Sequence, residues 1–113
     1  MHEVGLMQDA LSIAIQHASQ AGARQIERVR LRVGTGTGLA AESLELAFEI
    51  AARGTIAEGA RLDLEAVPLR CYCARCDLEF APDDLFAACP ECNDYGVVVR
   101  QGYGCELGSI VVS

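Results

Sequence analysis

Two Cys-x-x-Cys pairs in the last third of this 113-residue chain carry its clearest chemistry, Cys73-Ala-Arg-Cys76 and Cys89-Pro-Glu-Cys92. Four thiolates at this spacing are typical of a tetrahedral structural zinc site, with no coordination position left open for water or substrate. A rubredoxin-like iron site needs much the same ligands, so an iron electron carrier remains the alternative. Disulfides are disfavoured in the reducing compartment that we expect for this chain.

Two further cysteines lie outside this pattern. Cys71 precedes Cys73 by two residues, and we interpret it as a bystander because the Cys-x-x-Cys turn needs the 73/76 spacing. Cys105 lies in a separate glycine-rich turn and is interpreted as a small apolar packing residue.

The first residues form a second group that could bind metal. The α-amine of Met1, the imidazole of His2 and the backbone amide nitrogens between them can chelate one ion in fused rings. Planar, nitrogen-rich sets of this kind suit Ni(II) or Cu(II) and suit zinc poorly. The alternative is that His2 is an ordinary exposed residue at a frayed end. His17, on a helix flank, is interpreted as a solvated side chain.

The elements that must position these residues follow from hydrophobic periodicity. Apolar residues at three- and four-residue steps predict helices whose buried positions include Leu6 and Ala51, and strict alternation predicts strands. Gly22 and Gly54 are well placed to end the helices. The predicted helices cover residues 4–21 and 41–53, and the main predicted strands cover 28–33, 61–66 and 107–112.

The first two predicted strands alternate charged and apolar residues, so each has one exposed face. If these strands pair, their exposed faces bring Arg28, Arg30 and Arg32 against Asp63 and Glu65.

The cysteine-rich segment is predicted to be an insertion. Its length is below the roughly 40 residues that usually fold on a hydrophobic core alone, so metal must supply its folding energy. The last strand is expected to join the sheet of the first two. The predicted domains are 1–68 plus 105–113 and, after the exit at Pro68, a zinc-binding domain at 69–104.

Composition excludes several classes of function. The chain carries 9 basic and 16 acidic residues, a net charge of −7, which argues against nucleic-acid binding. No apolar run approaches the roughly 18–20 residues that span a membrane, and the start lacks a signal-peptide pattern, so we expect a cytoplasmic protein. We find no His-assisted nucleophile and no paired carboxylates in a catalytic turn, so an enzyme is not expected.

Several short motifs together resemble the HypA/HybF family of hydrogenase-maturation nickel metallochaperones, and the resemblance covers essentially the whole chain. The start combined with the cysteine pairs is the specific part of this likeness. In order, the motifs are Met1-His2-Glu3, Gly34 to Gly38, Ala47-Phe48-Glu49, Gly54-Thr55, Ala57-Glu58-Gly59-Ala60 and the two Cys-x-x-Cys pairs.

The resemblance implies an α+β fold, with two helices packed on a small mixed three-stranded sheet and an inserted four-cysteine zinc-ribbon domain. It implies transient Ni(II) cargo at Met1, His2 and Glu3. Structural Zn(II) is implied at the two cysteine pairs, with Cys73, Cys76, Cys89 and Cys92 as ligands.

The implied partners are a nickel-delivering maturation GTPase of the HypB type and the large subunit of [NiFe]-hydrogenase. A homodimer formed by domain exchange at Pro68 is a further expectation, because an inserted lobe on short connections can swap between copies. Two positions depart from the family pattern. Thr35 stands where the family commonly has Glu, which removes an acidic side chain near the implied nickel site. Asn93 stands where Gly is usual, but Asn tolerates a positive φ.

Overall fold

The computed structural model describes residues 2–83 and 88–113, apart from the side chain of His2. The described residues form two α-helices, six strands and one short 3-10 helix. In chain order these are α1 His2–Gln20, β1 Ile26–Gly34, the 3-10 helix Thr35–Thr37, α2 Ala41–Ala52, β2 Arg61–Val67, β3 Arg70–Cys73, β4 Leu78–Phe80, β5 Val98–Gln101 and β6 Cys105–Val112.

The chain divides into two compact units. The helical unit comprises Met1–Arg32, Leu39–Glu65 and Cys105–Ser113, and the cysteine unit comprises Val33–Gly38 and Ala66–Gly104. The domain boundaries predicted from the sequence stay a prediction. The compact units differ from them most clearly at Val33–Gly38, which lies within the predicted domain 1–68 but clusters with the cysteine unit.

Helix α1 buries one narrow stripe of its surface. Its buried residues are Met7, Leu11, Ala14 and Ala18, spaced at the four- and three-residue steps that keep side chains on one face. Leu6 flanks this stripe and is 38% exposed, so its predicted burial is wrong. Gly22 ends the helix at φ 70°, where the Ala23 N–H donates to the Ala18 carbonyl and the Gly22 N–H to the Ser19 carbonyl. These two bonds form the Schellman motif that glycine favours.

Helix α2 contributes the other half of the helical core. Leu44, Ala47, Phe48 and Ala52 are buried. Ala51 is only half-buried, so the sequence prediction chose the wrong one of two neighbouring alanines. The strand residues Ile26, Val29 and Leu31 of β1 are buried too, and they complete the core of this unit.

The helical unit holds a mixed sheet with the strand order β2-β1-β6. Arg28 pairs with Asp63 at 3.2 Å and Arg32 with Glu65 at 3.0 Å, an ascending order that indicates parallel β1 and β2. Before β1, Gln25 accepts a bond from the N–H of Ser113, which follows β6, so β6 runs antiparallel to β1. The arginine–carboxylate pairing predicted between the wet faces is therefore present, although exposed pairs stabilise by only about 0.2–1 kcal/mol each.

The cysteine unit has its own three-stranded sheet, in the order β4-β3-β5. Strand β3 pairs antiparallel with both neighbours, and its register sets Cys73 opposite Leu78 and Cys71 opposite Phe80 on β4. The predicted fold class, an α+β fold with two helices, a small mixed three-stranded sheet and a four-cysteine zinc-ribbon region, is confirmed. No helix within the described residues is long and apolar enough to cross a membrane.

The glycine-rich loop Val33–Gly38 packs tightly against the two ends of the cysteine segment. The N–H groups of Gly34 and Gly36 donate to the carbonyls of Gly104 and Gly102, each at 2.8 Å. A Cβ at Gly34 would collide with the Gly102 carbonyl group, so the backbones approach each other as closely as glycine allows. The loop is therefore a structural part of the cysteine unit.

Thr35 gives this loop a side-chain bond as well. Its hydroxyl accepts a hydrogen bond of 2.9 Å from the backbone N–H of Leu69, a buried residue at the start of the cysteine segment. The threonine that departs from the family pattern therefore has a structural contact of its own.

Substituting Thr35→Val is expected to lower the free energy of unfolding by about 1–3 kcal/mol, because the N–H of Leu69 loses its acceptor. Hydrogen exchange at the Leu69 amide should accelerate together with this loss. Thr35→Ser keeps the hydroxyl and is the matched control, so its exchange rate should stay near that of the parent. Equal exchange rates at the Leu69 amide in the valine and serine variants would show that this hydrogen bond does not contribute to stability.

Candidate metal centre

The structure brings four cysteine sulfurs into one cluster. The Sγ atoms of Cys73, Cys76, Cys89 and Cys92 all lie within 4.8 Å of one another. The Sγ atoms of Cys73 and Cys92 are 3.7 Å apart. Tetrahedral Zn–S bonds of about 2.3 Å separate two sulfurs by about 3.8 Å, so this pair already has the spacing that zinc requires.

The first cysteine pair lies on a β-turn between β3 and β4. Cys73 ends β3, and the four residues Ala74 to Asp77 form the turn before β4 begins. Asp77 has a φ of 48°, the left-handed conformation that lets the chain reverse directly behind Cys76. The Tyr72 hydroxyl donates to the Asp77 carboxylate at 2.6 Å, and Asp77 is not a member of the sulfur cluster. Strand register and turn together direct both thiols to one point.

The second pair is held by a loop that closes on itself. The Asn93 N–H donates to the Cys89 carbonyl at 2.8 Å, and the Cys89 N–H donates to the Asp94 carbonyl at 3.0 Å. Asn93 has a φ of 59°, so the asparagine occupies the left-handed position as its tolerance of positive φ predicted. The Gly96 N–H donates to the Asp94 carboxylate at 2.9 Å, and Asp94 is likewise not a member of the cluster.

The sulfurs affect one another's ionisation. Hydrogen bonding with the Cys92 sulfur, helped by burial, raises the pKa of Cys76 to about 12. Burial opposes ionisation at Cys89, but the backbone N–H groups of Cys92 and Glu91 donate to its sulfur and lower its pKa to about 7. Crowded thiols therefore do not all ionise unaided, and a divalent cation is the partner that makes four adjacent thiolates favourable. The donor set fits Zn(II).

The remaining two cysteines do not belong to the cluster. Within the residues that the structure describes, the only group of metal-ligating side chains is the four-cysteine set. Cys71 is buried in β3 and Cys105 is half-buried at the start of β6, and desolvation raises the pKa of both thiols. Both therefore lie in packed surroundings, and all six cysteines are free thiols.

The predicted nickel ligands are the first three residues of the chain. Met1 and the side chain of His2 are outside the described residues. Glu3 is half-buried in the first turn of the helix, where the partial positive charge of a helix N-terminus favours a carboxylate. His17 is exposed on the last turn of the same helix.

A comparison with protein-family models identifies the family to which this chain belongs. The model described as "Hydrogenase/urease nickel incorporation, metallochaperone, hypA" matches residues 1–112. The chain belongs to the HypA family. Membership places it among nickel-incorporation metallochaperones, and it confirms the resemblance found in the sequence motifs.

Individual HypA proteins agree with this assignment. The chain is 42% identical to the hydrogenase maturation factor HypA of Picosynechococcus sp., over 99% of both chains, and 41% identical to that of Roseiflexus sp., over 97% of this chain and 90% of the relative. A solution structure of HypA protein superposes with a TM-score of 0.75 at 25% identity, covering 100% of this chain and 97% of the other. The Ni metallochaperone HypA from Helicobacter pylori matches in fold, with a TM-score of 0.73 at 22% identity over 97% and 96% of the two chains.

Some residues that shape the four-cysteine cluster were not predicted from the sequence. Asp77 takes a left-handed conformation behind the first pair, and Tyr72 holds its carboxylate. The Arg100 guanidinium carbon on β5 lies 3.9 Å from the centroid of the Tyr72 ring. This cation–π contact connects β5 to β3, the strand that ends at Cys73. The position of Asp77 directly after Cys76, equivalent to that of Asn93 after Cys92, was the signal available in the sequence.

Proposed function

We propose that this chain binds Ni(II) at Met1, His2 and Glu3 and delivers it to the large subunit of [NiFe]-hydrogenase, together with a HypB-like maturation GTPase. Zn(II) at Cys73, Cys76, Cys89 and Cys92 has a structural role. The observation that carries this proposal is the family match over residues 1–112, which includes the N-terminal segment as well as the cysteine cluster. In the cytoplasm, where thiols stay reduced, the free cysteines remain available to the metal.

The start of α1 supports a nickel site for a physical reason. The first four N–H groups of a helix have no intrahelical acceptor, and α1 begins at His2. The amide nitrogens of His2 and Glu3 are therefore not committed to helix hydrogen bonds. Together with the α-amine of Met1 and the imidazole of His2 they form the nitrogen-rich set that Ni(II) favours.

A site with few ligands at a chain end suits a cargo rather than a resident metal. Groups of an acceptor protein can replace the ligands one at a time, so the ion never passes through free water. The four-sulfur cluster is the opposite case, because its coordination sphere is closed and its metal stays. The alternative of a rubredoxin-like iron electron carrier uses only the four sulfurs, whereas the family match extends through the N-terminal segment.

Substituting His2→Ala is expected to weaken Ni(II) binding by about a hundredfold or more, because even residues that merely support a metal ligand cost 10–100-fold when removed. Titration calorimetry with Ni(II) on tag-free protein measures this loss. Zinc content and the circular dichroism spectrum should not change.

The matched control is His17→Ala, which removes the exposed histidine at the other end of the same helix. Its nickel affinity should equal that of the parent. A second variant with residues added before Met1 displaces the α-amine and should also bind nickel more weakly. Unchanged affinity in both His2→Ala and the extended variant would reject the N-terminal site.

A further inference from the structure

A small apolar groove lies where the first turn of α1 meets the exposed side of α2. Its volume is about 230 Å³, which is below the roughly 300–1,000 Å³ of pockets that hold drug-sized ligands. A space of this size accepts side chains. The groove is lined by Glu3, Val4, Ser43, Leu46, Ala47 and Ile50.

The α2 side of the groove is a stripe of apolar surface open to solvent. Positions 43, 46, 47 and 50 follow the three- and four-residue steps of one helix face. This face lies beside the buried one, yet Leu46 is 57% exposed and Ile50 is 43% exposed. Two large aliphatic side chains one turn apart, next to a cavity, form the kind of surface that receives apolar anchors from another helix.

Two glutamates of α2 give one edge of the groove an acidic rim. Glu42 and Glu49 are exposed and lie four residues before and three residues after Leu46, so both neighbour it on the helix surface. Helix α2 contains no basic residue. Arg53, just beyond the helix, is 3.9 Å from Glu49, and both side chains are about two-thirds exposed, so it offsets little of this charge. Glu3 adds a carboxylate to the lining itself.

The negative charge of the rim decides which occupant fits the groove. A second copy of this chain would bring the same acidic rim and a net charge of −7 to the interface, and like charges facing each other oppose association. A helix with apolar anchors at i, i+3 and i+4 and flanking Lys or Arg complements both the groove and its rim.

We propose that the groove between the first turn of α1 and the Leu46–Ile50 face of α2 is a docking site for a basic amphipathic helix of a partner protein. The proposal concerns partner docking alone and does not depend on nickel binding at the N-terminus. Because Glu3 directly follows His2, a helix seated here lies beside the segment from which a cargo would be taken.

The test uses the full-length, zinc-loaded protein and a synthetic amphipathic helix of about 14 leucine and lysine residues, with the leucines on one face. NMR titration without nickel should show shifts concentrated at the groove lining. A peptide with glutamate in place of lysine should bind at least tenfold more weakly. Raising the salt concentration should weaken the lysine peptide, because exposed charges are screened.

Two variants of the protein separate the apolar and charged parts of the site. Leu46→Gln with Ile50→Gln should weaken the lysine peptide at least tenfold. Glu42→Gln with Glu49→Gln should weaken it less and reduce its salt dependence. Ile13→Gln is the matched control, because Ile13 is an α1 residue that is 47% exposed and about 15 Å along the helix from Glu3.

Several outcomes would overturn the proposal. They are an equal loss in Ile13→Gln, shifts centred outside the groove, and equal binding of the glutamate peptide. A parent protein that sediments as a dimer and becomes a monomer in the Leu46→Gln, Ile50→Gln variant would show a second copy in the groove instead. Circular dichroism and zinc content confirm that each variant is folded before the titration.

Discussion

Removing zinc is expected to unfold the cysteine unit and leave the helical unit folded. Between Ala66 and Gly104 the strands are only three to four residues long, and the described buried apolar side chains are Leu69, Cys71, Cys73 and Cys89. Two of these four, Cys73 and Cys89, belong to the four-sulfur cluster. A structural zinc site contributes about 10–16 kcal/mol of apparent binding free energy, far more than this small core can supply.

The measurement is hydrogen exchange along the chain before and after treatment with a strong chelator. Protection of the β3 amides should disappear, whereas protection in α1 should persist because its buried stripe packs within the other unit. Cys73→Ser should reproduce the effect of the chelator. Cys105→Ser is the matched control, because Cys105 is outside the sulfur cluster, and it should keep one zinc per chain. If the β3 amides stayed protected after the chelator had removed the metal, a metal-dependent fold would be contradicted. If the purified protein had the colour of a sulfur-bound iron site, the electron carrier would be favoured.

Substituting Gly102→Ala is expected to destabilise the cysteine unit by about 2–5 kcal/mol. Gly102 is buried at a φ of 84°, a conformation that costs other residues about 1–2 kcal/mol. A Cβ there would also collide with the backbone of Pro68 and Leu69, and overpacking of this kind costs about 1–3 kcal/mol. The Gly36 N–H, which donates to the Gly102 carbonyl, should exchange faster as the backbones separate.

Two controls separate the causes of this loss. Gly34→Ala meets a backbone collision without a positive φ and should cost about 1–3 kcal/mol. Gly59→Ala meets a φ of 80° with open space around its Cβ, so it should cost only about 1–2 kcal/mol, and in the helical unit. Thermal unfolding at a fixed zinc concentration, with amide exchange to assign the unit, measures all three. If Gly102→Ala cost no more than Gly59→Ala, the close approach would have no energetic weight.

These expectations have a common physical basis in the two units. The helical unit rests on a hydrophobic core shared by α1, α2 and β1, whereas the cysteine unit has a small core, a four-sulfur cluster and close backbone packing. Under the proposed function this division is useful, because zinc in the cysteine unit would stay fixed while the N-terminal segment of the helical unit exchanges nickel. The docking groove belongs to the helical unit, so its test and the zinc test report on different parts of the molecule.

The sequence alone determined the features that depend on local spacing. The positions of the four cysteines predicted one cluster, because a Cys-x-x-Cys turn brings its own two thiols together. Gly22 and Gly54 marked the ends of the two helices, because each glycine follows its helix and has a positive φ. The pairing of Arg28 and Arg32 with Asp63 and Glu65 followed from alternation on two neighbouring strands.

Only the tertiary structure decided the features that depend on contacts distant along the chain. The loop Val33–Gly38 belongs to the cysteine unit because glycine backbones meet across nearly 70 residues of sequence, a separation that no local pattern encodes. The burial of Ala52 in place of Ala51 was fixed by how α2 rotates against α1 and the sheet. The exposure of Leu46 and Ile50 likewise could not be predicted from the sequence. The apolar residues of α2 cover more than one face of the helix, and packing selects which face is buried.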